Sequence, residues 1–292
     1  MIKDVYKSCD KKNIDILIAF SPLLIFGFIL FGIKAALVCI TAVASTVIFD
    51  YFISLLLREE KTDYSKSIVS GLLLGLILPP ALPLYIVVIG SAFSAFVIKL
   101  FLASKDGYIV SPALTTRIFL QLSFPAQMSN YLEPMIDVKA SATPLTSNIY
   151  SLKEILFGVI SGSIGETATI LIILCGLYLI WVKVISLEIP ISYILSALIS
   201  TLIFRPSSVV EILLGSLIFA SFFMGVEGVK LPKNRLGKII FGIGCGVLTV
   251  CIRTFGNVPE GTSYAIVFMS LIVPLIDKIK FNFRKAELQN EN

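Results

Sequence analysis

The chain contains no histidine. That single absence removes histidine-ligated haem, histidine zinc sites and Ser–His or Cys–His catalysis together. Any redox chemistry must rest on a cofactor held by other residue types. Cys9, Cys39, Cys175, Cys245 and Cys251 form no CxxC pair, and four of them lie inside apolar runs, where a thiol packs as a small apolar group. No iron–sulfur ligand set is present. There is also no GxGxxG turn after a strand, so the nicotinamide fingerprint is missing. Charge is scarce: 15% of residues are Asp, Glu, Lys or Arg, against roughly a quarter in soluble domains. The net charge of +5 does not argue for nucleic acid, because the basic residues gather at the ends of apolar runs.

What the chain has in abundance is apolar sequence, 57% of 292 residues. Several runs approach or exceed the roughly 20 residues that cross a bilayer. They are continuously apolar, without the two-residue alternation of a barrel. The expected fold class is therefore all-α, a polytopic membrane protein forming a single membrane domain over residues 1–292. The segment 1–13 is basic, but the run after it is too long for a signal-peptide core and lacks a small-residue cleavage site. It reads as a first span that stays. Ten transmembrane spans are expected, at about 14–33, 35–57, 67–78, 84–103, 113–124, 167–182, 190–204, 209–224, 238–252 and 263–279. This gives a first half over 14–124, a loop over 125–166, a second half over 167–279 and short tails.

Lys and Arg set the orientation. With ten spans and a cytoplasmic N-terminus, all but six of the 24 basic residues fall on cytoplasmic segments or span ends. The six are Lys34, Arg117, Lys139, Lys153, Arg205 and Arg253. Both termini are then cytoplasmic and the 125–166 loop is extracytoplasmic. The halves also echo one another. Each has a short span, a Pro-containing break, a Gly-rich span and a Pro-containing approach to a last span. Such interrupted segments in matching positions mark inverted repeats, here two of five helices, with sites where the halves meet.

Asp50, Arg117, Glu166, Glu211, Glu227, Arg253 and Glu260 lie in or beside apolar segments. A charge at membrane depth costs roughly 2.5–3.5 kcal/mol on insertion scales, so it has a partner or a task. Asp50, Glu211 and Glu227 sit at span ends, from which they can snorkel. Arg117 is placed deeper, in a short span opening at Pro112. Glu166 follows Ser161-Gly162-Ser163-Ile164-Gly165, a run whose backbone N–H groups can cradle phosphate ahead of a helix. Outside the apolar runs, Ala140-Ser141-Ala142-Thr143-Pro144-Leu145-Thr146 is small and hydroxyl-rich.

Taken in order, these residues resemble the D subunit of Rnf electron-transport complexes, homologous to the B subunit of the sodium-translocating NADH:quinone reductase. The likeness runs from about residue 15 to 285. It is carried by Leu72 to Pro80 with Pro83, by Ser111-Pro112-Ala113-Leu114 with Arg117 and Phe119-Leu120, and by Phe124-Pro125-Ala126. It continues through Ser141-Ala142-Thr143-Pro144-Leu145, Gly162-Ser163-Ile164-Gly165-Glu166-Thr167, Phe222-Phe223-Met224 and Arg253 with Phe255-Gly256. Pro259-Glu260-Gly261, Tyr264-Ala265 and Pro274-Leu275-Ile276-Asp277 complete it. The chain departs from the family pattern at three places. They are Ser104-Lys105-Asp106-Gly107-Tyr108, Gly225-Val226-Glu227 where Ala-Thr-Asp is usual, and Ala140-Ser141 where Ser-Gly is usual.

The resemblance implies a urea-channel-like fold in a prokaryotic cytoplasmic membrane. It implies FMN joined by a phosphoester to Thr143, with Ser141, Ala142 and Pro144 around the acceptor, and it admits a second, noncovalent flavin such as riboflavin. Arg117, Gly165, Glu166, Thr167, Arg253, Glu260 and Gly261 are candidates to hold flavin or line an ion path. No catalytic residue independent of flavin and no metal ligand is expected. The family complex couples electron flow between reduced ferredoxin and NAD to movement of Na+ or H+. Partners would be the other Rnf-type subunits: membrane subunits, an extracytoplasmic flavoprotein subunit, and iron–sulfur and NAD-binding subunits. A flavin transferase would be needed for maturation. Two alternatives stand at this point. One is the quinone-reductase counterpart, disfavoured by only about 13 residues before the first span. The other is a urea-channel-like solute channel or transporter without flavin.

Overall fold

The computed structural model of the chain describes residues 2–58, 64–104, 107–132, 134, 140–141, 152–206, 212, 215–223, 225–256 and 260–290. They are mostly helical. In chain order come α1 (Ile2–Leu57), α2 (Tyr64–Ile77) and α3 (Leu84–Phe93). A π-helical stretch, Ser94–Lys99, leads on to α4 (Leu100–Leu102). Then follow α5 (Pro112–Ser123), α6 (Pro125–Met128), α7 (Leu152–Phe157) and α8 (Thr169–Trp181). α9 (Glu188–Phe204), α10 (Gly215–Phe223), α11 (Arg235–Phe255) and α12 (Thr262–Asn290) complete the set. The expected spans match these helices within a few residues, with three differences. The first helix begins at Ile2, ahead of the expected 14, while the expected break between the first two spans is present: the backbone leaves helical geometry at Gly32, φ 65°, ψ −152°, a conformation essentially reserved for glycine. The eighth span is described as helix only from Gly215. The last helix runs on past residue 279. Four two-residue strands were not expected: β1 (Ala103–Ser104) with β2 (Gly107–Tyr108), and β3 (Tyr131–Leu132) with β4 (Ala140–Ser141), both pairs antiparallel.

Among the described residues, three helical stretches are long and apolar enough to cross a membrane: Lys11–Leu57, Leu84–Leu102 and Arg235–Phe255. The first, 47 residues, suffices for two crossings at 1.5 Å per residue. Their outward faces are apolar as well. On α1, Ile16, Phe20, Leu23 and Leu30 are buried while Ile14, Ile18, Ile25, Ile29 and Ile33 are exposed. A helix apolar all round suits lipid rather than water. With lipid outside, close packing of small residues holds helices together. Gly71 and Gly75 bring α2 against α1 at Val43 and Cys39, and Gly242 and Gly246 bring α11 against α9 at Ser192 and Ser196. α9 with α11 and α1 with α2 are the two most extensive helix contacts.

One interruption positions everything that follows. α2 ends at Ile77 because Pro79 and Pro80 have no N–H to continue the helix. Pro80 therefore leaves the Leu76 carbonyl without its i+4 donor. The segment after α7 supplies the replacement. The Gly165 N–H donates to the Leu76 carbonyl at 2.7 Å, and the Ile164 N–H to Leu78 at 3.2 Å. The segment between α7 and α8 is thereby built onto the broken end of α2.

Candidate functional site: a buried arginine between two carboxylates

α5 carries the central residue, and its start is fixed by chemistry. Pro112 occupies the first turn, and the Ser111 hydroxyl accepts from the Leu114 N–H at 3.2 Å. The Glu227 carboxylate accepts from the Ala113 N–H at 3.1 Å, from Ser70 at 2.7 Å and from the Ser111 hydroxyl. An anion at a helix N-terminus is favourable. Glu227 is buried, so it does not snorkel as its span-end position suggests; it ties α5 to α2 and to the turn after α10. Asp50, the other described span-end acid, pairs with Lys99 at 2.7 Å. Glu211 lies outside the described residues.

Further along α5, Arg117 is 1% exposed. Its guanidinium makes a two-pronged pair with Glu166: Nη1 donates to Oε1 and Nη2 to Oε2 at 3.0 Å. Nη2 also reaches Ser163 Oγ at 3.1 Å and Glu260 Oε2 at 2.5 Å. The other oxygen of Glu260 accepts from the Tyr131 hydroxyl at 2.8 Å. Burial and then the Glu260 carboxylate push the Tyr131 phenol well above its usual pKa, so it stays a donor. The cluster thus joins α5, the loop built onto α2, the start of α12 and β3. It holds one cation for two carboxyl groups.

Glu166 is placed by the Gly165–Leu76 bond beside it. Gly165 has to be glycine, since a Cβ would stand 2.8 Å from Leu76 Cδ2. This alters the expectation for the Gly/Ser run. The N–H groups of Ile164, Gly165 and Glu166 are donated to Leu78, Leu76 and Ser163, so they serve the fold instead of cradling phosphate. Glu260 is placed by Gly261, which lies against the Thr249 carbonyl of α11. Thr167 is buried next to Glu166, and its hydroxyl has no protein partner among the described residues; nor does that of Ser263. Arg117, Glu166, Ser263, Leu73, Leu114 and Phe223 surround a cavity of about 10 Å³, room for about one water. Arg253 stands apart at the end of α11, where it donates to Ser216 on α10 at 3.3 Å.

The structure therefore brings Arg117, Gly165, Glu166, Thr167, Glu260 and Gly261 together. Thr143, Ala142 and Pro144 lie outside the described residues. Ser141 is described in β4, and its placement is informative. β4 pairs with β3 so that Ser141 stands opposite Tyr131 and Ala140 opposite Leu132. The backbone leading into Thr143 is thus hydrogen-bonded to the strand whose tyrosine binds Glu260. Tyr131 and Ser263 were not singled out in the sequence, and Ser163 only as part of the Gly/Ser run. Tyr131 gave no signal, being one aromatic in a polar stretch.

Comparison with known proteins gives a consistent result. The model of the NQR2, RnfD, RnfE family matches residues 4–283. The D subunit of the proton-translocating ferredoxin:NAD(+) oxidoreductase complex of Clostridium ljungdahlii is 34% identical over 311 residues, covering 96% of this chain and 93% of that protein. The D subunit of the Na(+)-translocating ferredoxin:NAD(+) oxidoreductase complex of Acetobacterium woodii is 33% identical over 277 residues, covering 90% and 86%. The D subunit of an ion-translocating oxidoreductase complex of Methanosarcina acetivorans is 30% identical over 263 residues, covering 89% and 86%.

Proposed function

Because the chain belongs to the NQR2, RnfD, RnfE family, we propose that it is the D-type membrane subunit of a complex that couples electron transfer between ferredoxin and NAD to Na+ or H+ translocation. It acts with other subunits, since the sequence carries neither a nicotinamide fingerprint nor an iron–sulfur ligand set. Similarity to the D subunits of ferredoxin:NAD(+) oxidoreductases over most of the chain supports this reading above the quinone-reductase counterpart and the flavin-free channel. The chain crosses the cytoplasmic membrane ten times as two inverted five-helix halves, with both termini inside and the Thr143 loop outside. The Lys and Arg distribution supports that arrangement. So does the parallel seam of α9 and α11, which begin at the same end as the seventh and ninth spans should.

In this reading Thr143 holds FMN through a phosphoester. The observation that carries it is the β3–β4 pair, which fixes Ser141, two residues before the acceptor, to Tyr131 and through it to the buried cluster. The donor chemistry fits: the phosphoester needs one hydroxyl, small neighbours give a transferase access, and a proline disfavours helix at the residue before it. When bound, FMN exchanges electrons singly or in pairs. The chain's own part is to fix where that occurs. β4 anchors the acceptor segment, Tyr131 donates to Glu260, and Arg117 locks Glu260 and Glu166 to α5.

The test is mass and fluorescence. The intact protein should carry one FMN phosphoester mapped to Thr143 and fluoresce in a denaturing gel. Thr143→Ala should abolish both. Covalent flavin retained by Thr143→Ala would overturn the attachment.

A further inference from the structure

α9 and α11 run side by side in the same direction, and their outer face forms a groove. The floor is the small-residue seam, where Ser192 and Ser196 lie against Gly242 and Gly246. These serines return their hydroxyls to helix carbonyls, Ser192 to Glu188 at 2.7 Å and Ser196 to Tyr193 at 3.0 Å, so neither offers a free donor to the groove. The walls are branched aliphatics at four-residue spacing: Ile191, Leu195 and Ile199 on α9, and Ile239, Ile243 and Val247 on α11. The enclosed space is about 560 Å³, the size of a small-molecule site.

The two ends differ. At the mouth stand the N-termini of both helices, which carry the positive end of the helix dipole. Arg235 lies there at 82% exposure, 3.6 Å from Glu188, a solvated pair that contributes little and leaves the remaining guanidinium N–H groups open. Exposed Lys233 precedes it. Beyond the other end, which reaches Ser200 and Val247, Phe204 of α9 and Phe255 of α11 meet edge to face, with centroids 6.1 Å apart.

We propose that this groove binds one anionic phospholipid, with an acyl chain along the wall and the phosphate on Arg235. Such a site rests on the membrane reading above and adds a ligand to it. Length argues for one leaflet. From Leu187 to Ile199 the groove rises by about 18 Å at 1.5 Å per residue, against about 15 Å for half the hydrocarbon core. A partner's transmembrane helix would need the full span of about 30 Å, more than this groove provides. Charge argues for an anionic head, since arginine pairs with phosphate through two parallel hydrogen bonds. Basic pockets between helices at the cytoplasmic side are general sites for such heads.

The complex would be reconstituted into nanodiscs of equal phosphatidylglycerol and phosphatidylcholine, re-extracted into mild detergent, and its retained lipid weighed by native mass spectrometry. The wild type should retain phosphatidylglycerol over phosphatidylcholine by about tenfold. Arg235→Glu should bring the ratio near one with the acyl adduct still present. Leu195→Trp, which fills the groove from its exposed lip, should remove the adduct whatever its head. A ratio unmoved by Arg235→Glu overturns the headgroup assignment. A cross-link from Leu195→Cys to another subunit in the assembled complex overturns the lipid in favour of a protein helix. If carbonate washing strips the wild-type chain from membranes, the membrane reading itself has failed, an outcome separate from a lost lipid preference.

Discussion

Replacing Arg117 tests the central cluster most directly, because its partners are unequal. The native set is one guanidinium, two carboxyl groups and the Tyr131 hydroxyl, all buried. Arg117→Ala leaves Glu166 and Glu260 facing each other with no cation. Removing one partner of a buried pair costs about 3–5 kcal/mol. At about 2–4 °C per kcal/mol for domains of this order, the loss is roughly 6–20 °C in apparent melting temperature. Glu260→Gln acts oppositely on the charge count. It leaves a one-to-one Arg117–Glu166 pair, and the substituted side chain keeps both contacts, with its amide oxygen accepting from Arg117 Nη2 and its amide N–H donating to the Tyr131 hydroxyl oxygen. Its cost should stay within about 1–2 kcal/mol, the range of one hydrogen bond. Arg117→Lys should fall between, since an ammonium cannot reproduce the two-pronged contact with Glu166. The assay is loss of monodisperse protein after heating in detergent, compared at equal time because membrane proteins unfold irreversibly. An Arg117→Ala protein as heat-resistant as the wild type, or a Glu260→Gln protein weaker than Arg117→Ala, would refute the reasoning.

Two further outcomes follow from the elements that hold the cluster. Gly165→Val should destabilise by about 1–3 kcal/mol, the usual cost of forcing extra carbons into a packed site. It drives a Cβ toward Leu76, and its melting curve should fall below that of Gly162→Ala, whose added Cβ meets only the Thr167 methyl at 3.0 Å. Ser111→Ala removes the side-chain cap of α5, about 0.5–2 kcal/mol, together with the hydroxyl that donates to buried Glu227, about 1.5–3 kcal/mol for a bond to a charged group, read as a lower melting temperature.

The helices were legible because their signal is continuous. Long apolar runs bounded by Pro and charge give span positions without any tertiary information, and α2, α5, α8, α9 and α11 lie close to the expected spans. Arg117, Glu166 and Glu260 were legible for a different reason: a charge in an apolar segment is costly enough to stand out singly. Their mutual contact was not legible. It depends on the loop after α7 crossing to the end of α2, and the sequence records that only as a missing N–H at Pro80. The Gly/Ser run was open to two readings for the same cause. Free N–H groups in a turn suit an anion, but a helix end deprived of donors nearby takes them first. Tyr131 was invisible, since its role comes from strand pairing between segments too short to show alternation.

The departures from the family pattern gain a physical reading once the segments are placed. Ser104 to Tyr108 and Gly225 to Glu227 are more than a hundred residues apart, yet they meet. The Tyr108 N–H donates to the Gly228 carbonyl at 3.1 Å, and the Tyr108 carbonyl accepts from Lys230 at 2.9 Å. Gly107 adopts φ +124° directly against Gly228, a conformation other residues rarely reach. Next to this junction, Glu227 carries an acid one methylene longer than the aspartate usual at that position, and it spans to Ser70, Ser111 and the Ala113 N–H at once. The changes fall on two strands of one contact that fixes the start of α5, and α5 carries Arg117. Residues in one hydrogen-bonded network act non-additively. Substitutions on the two sides of this contact should therefore act non-additively on the position of the helix that bears the central arginine.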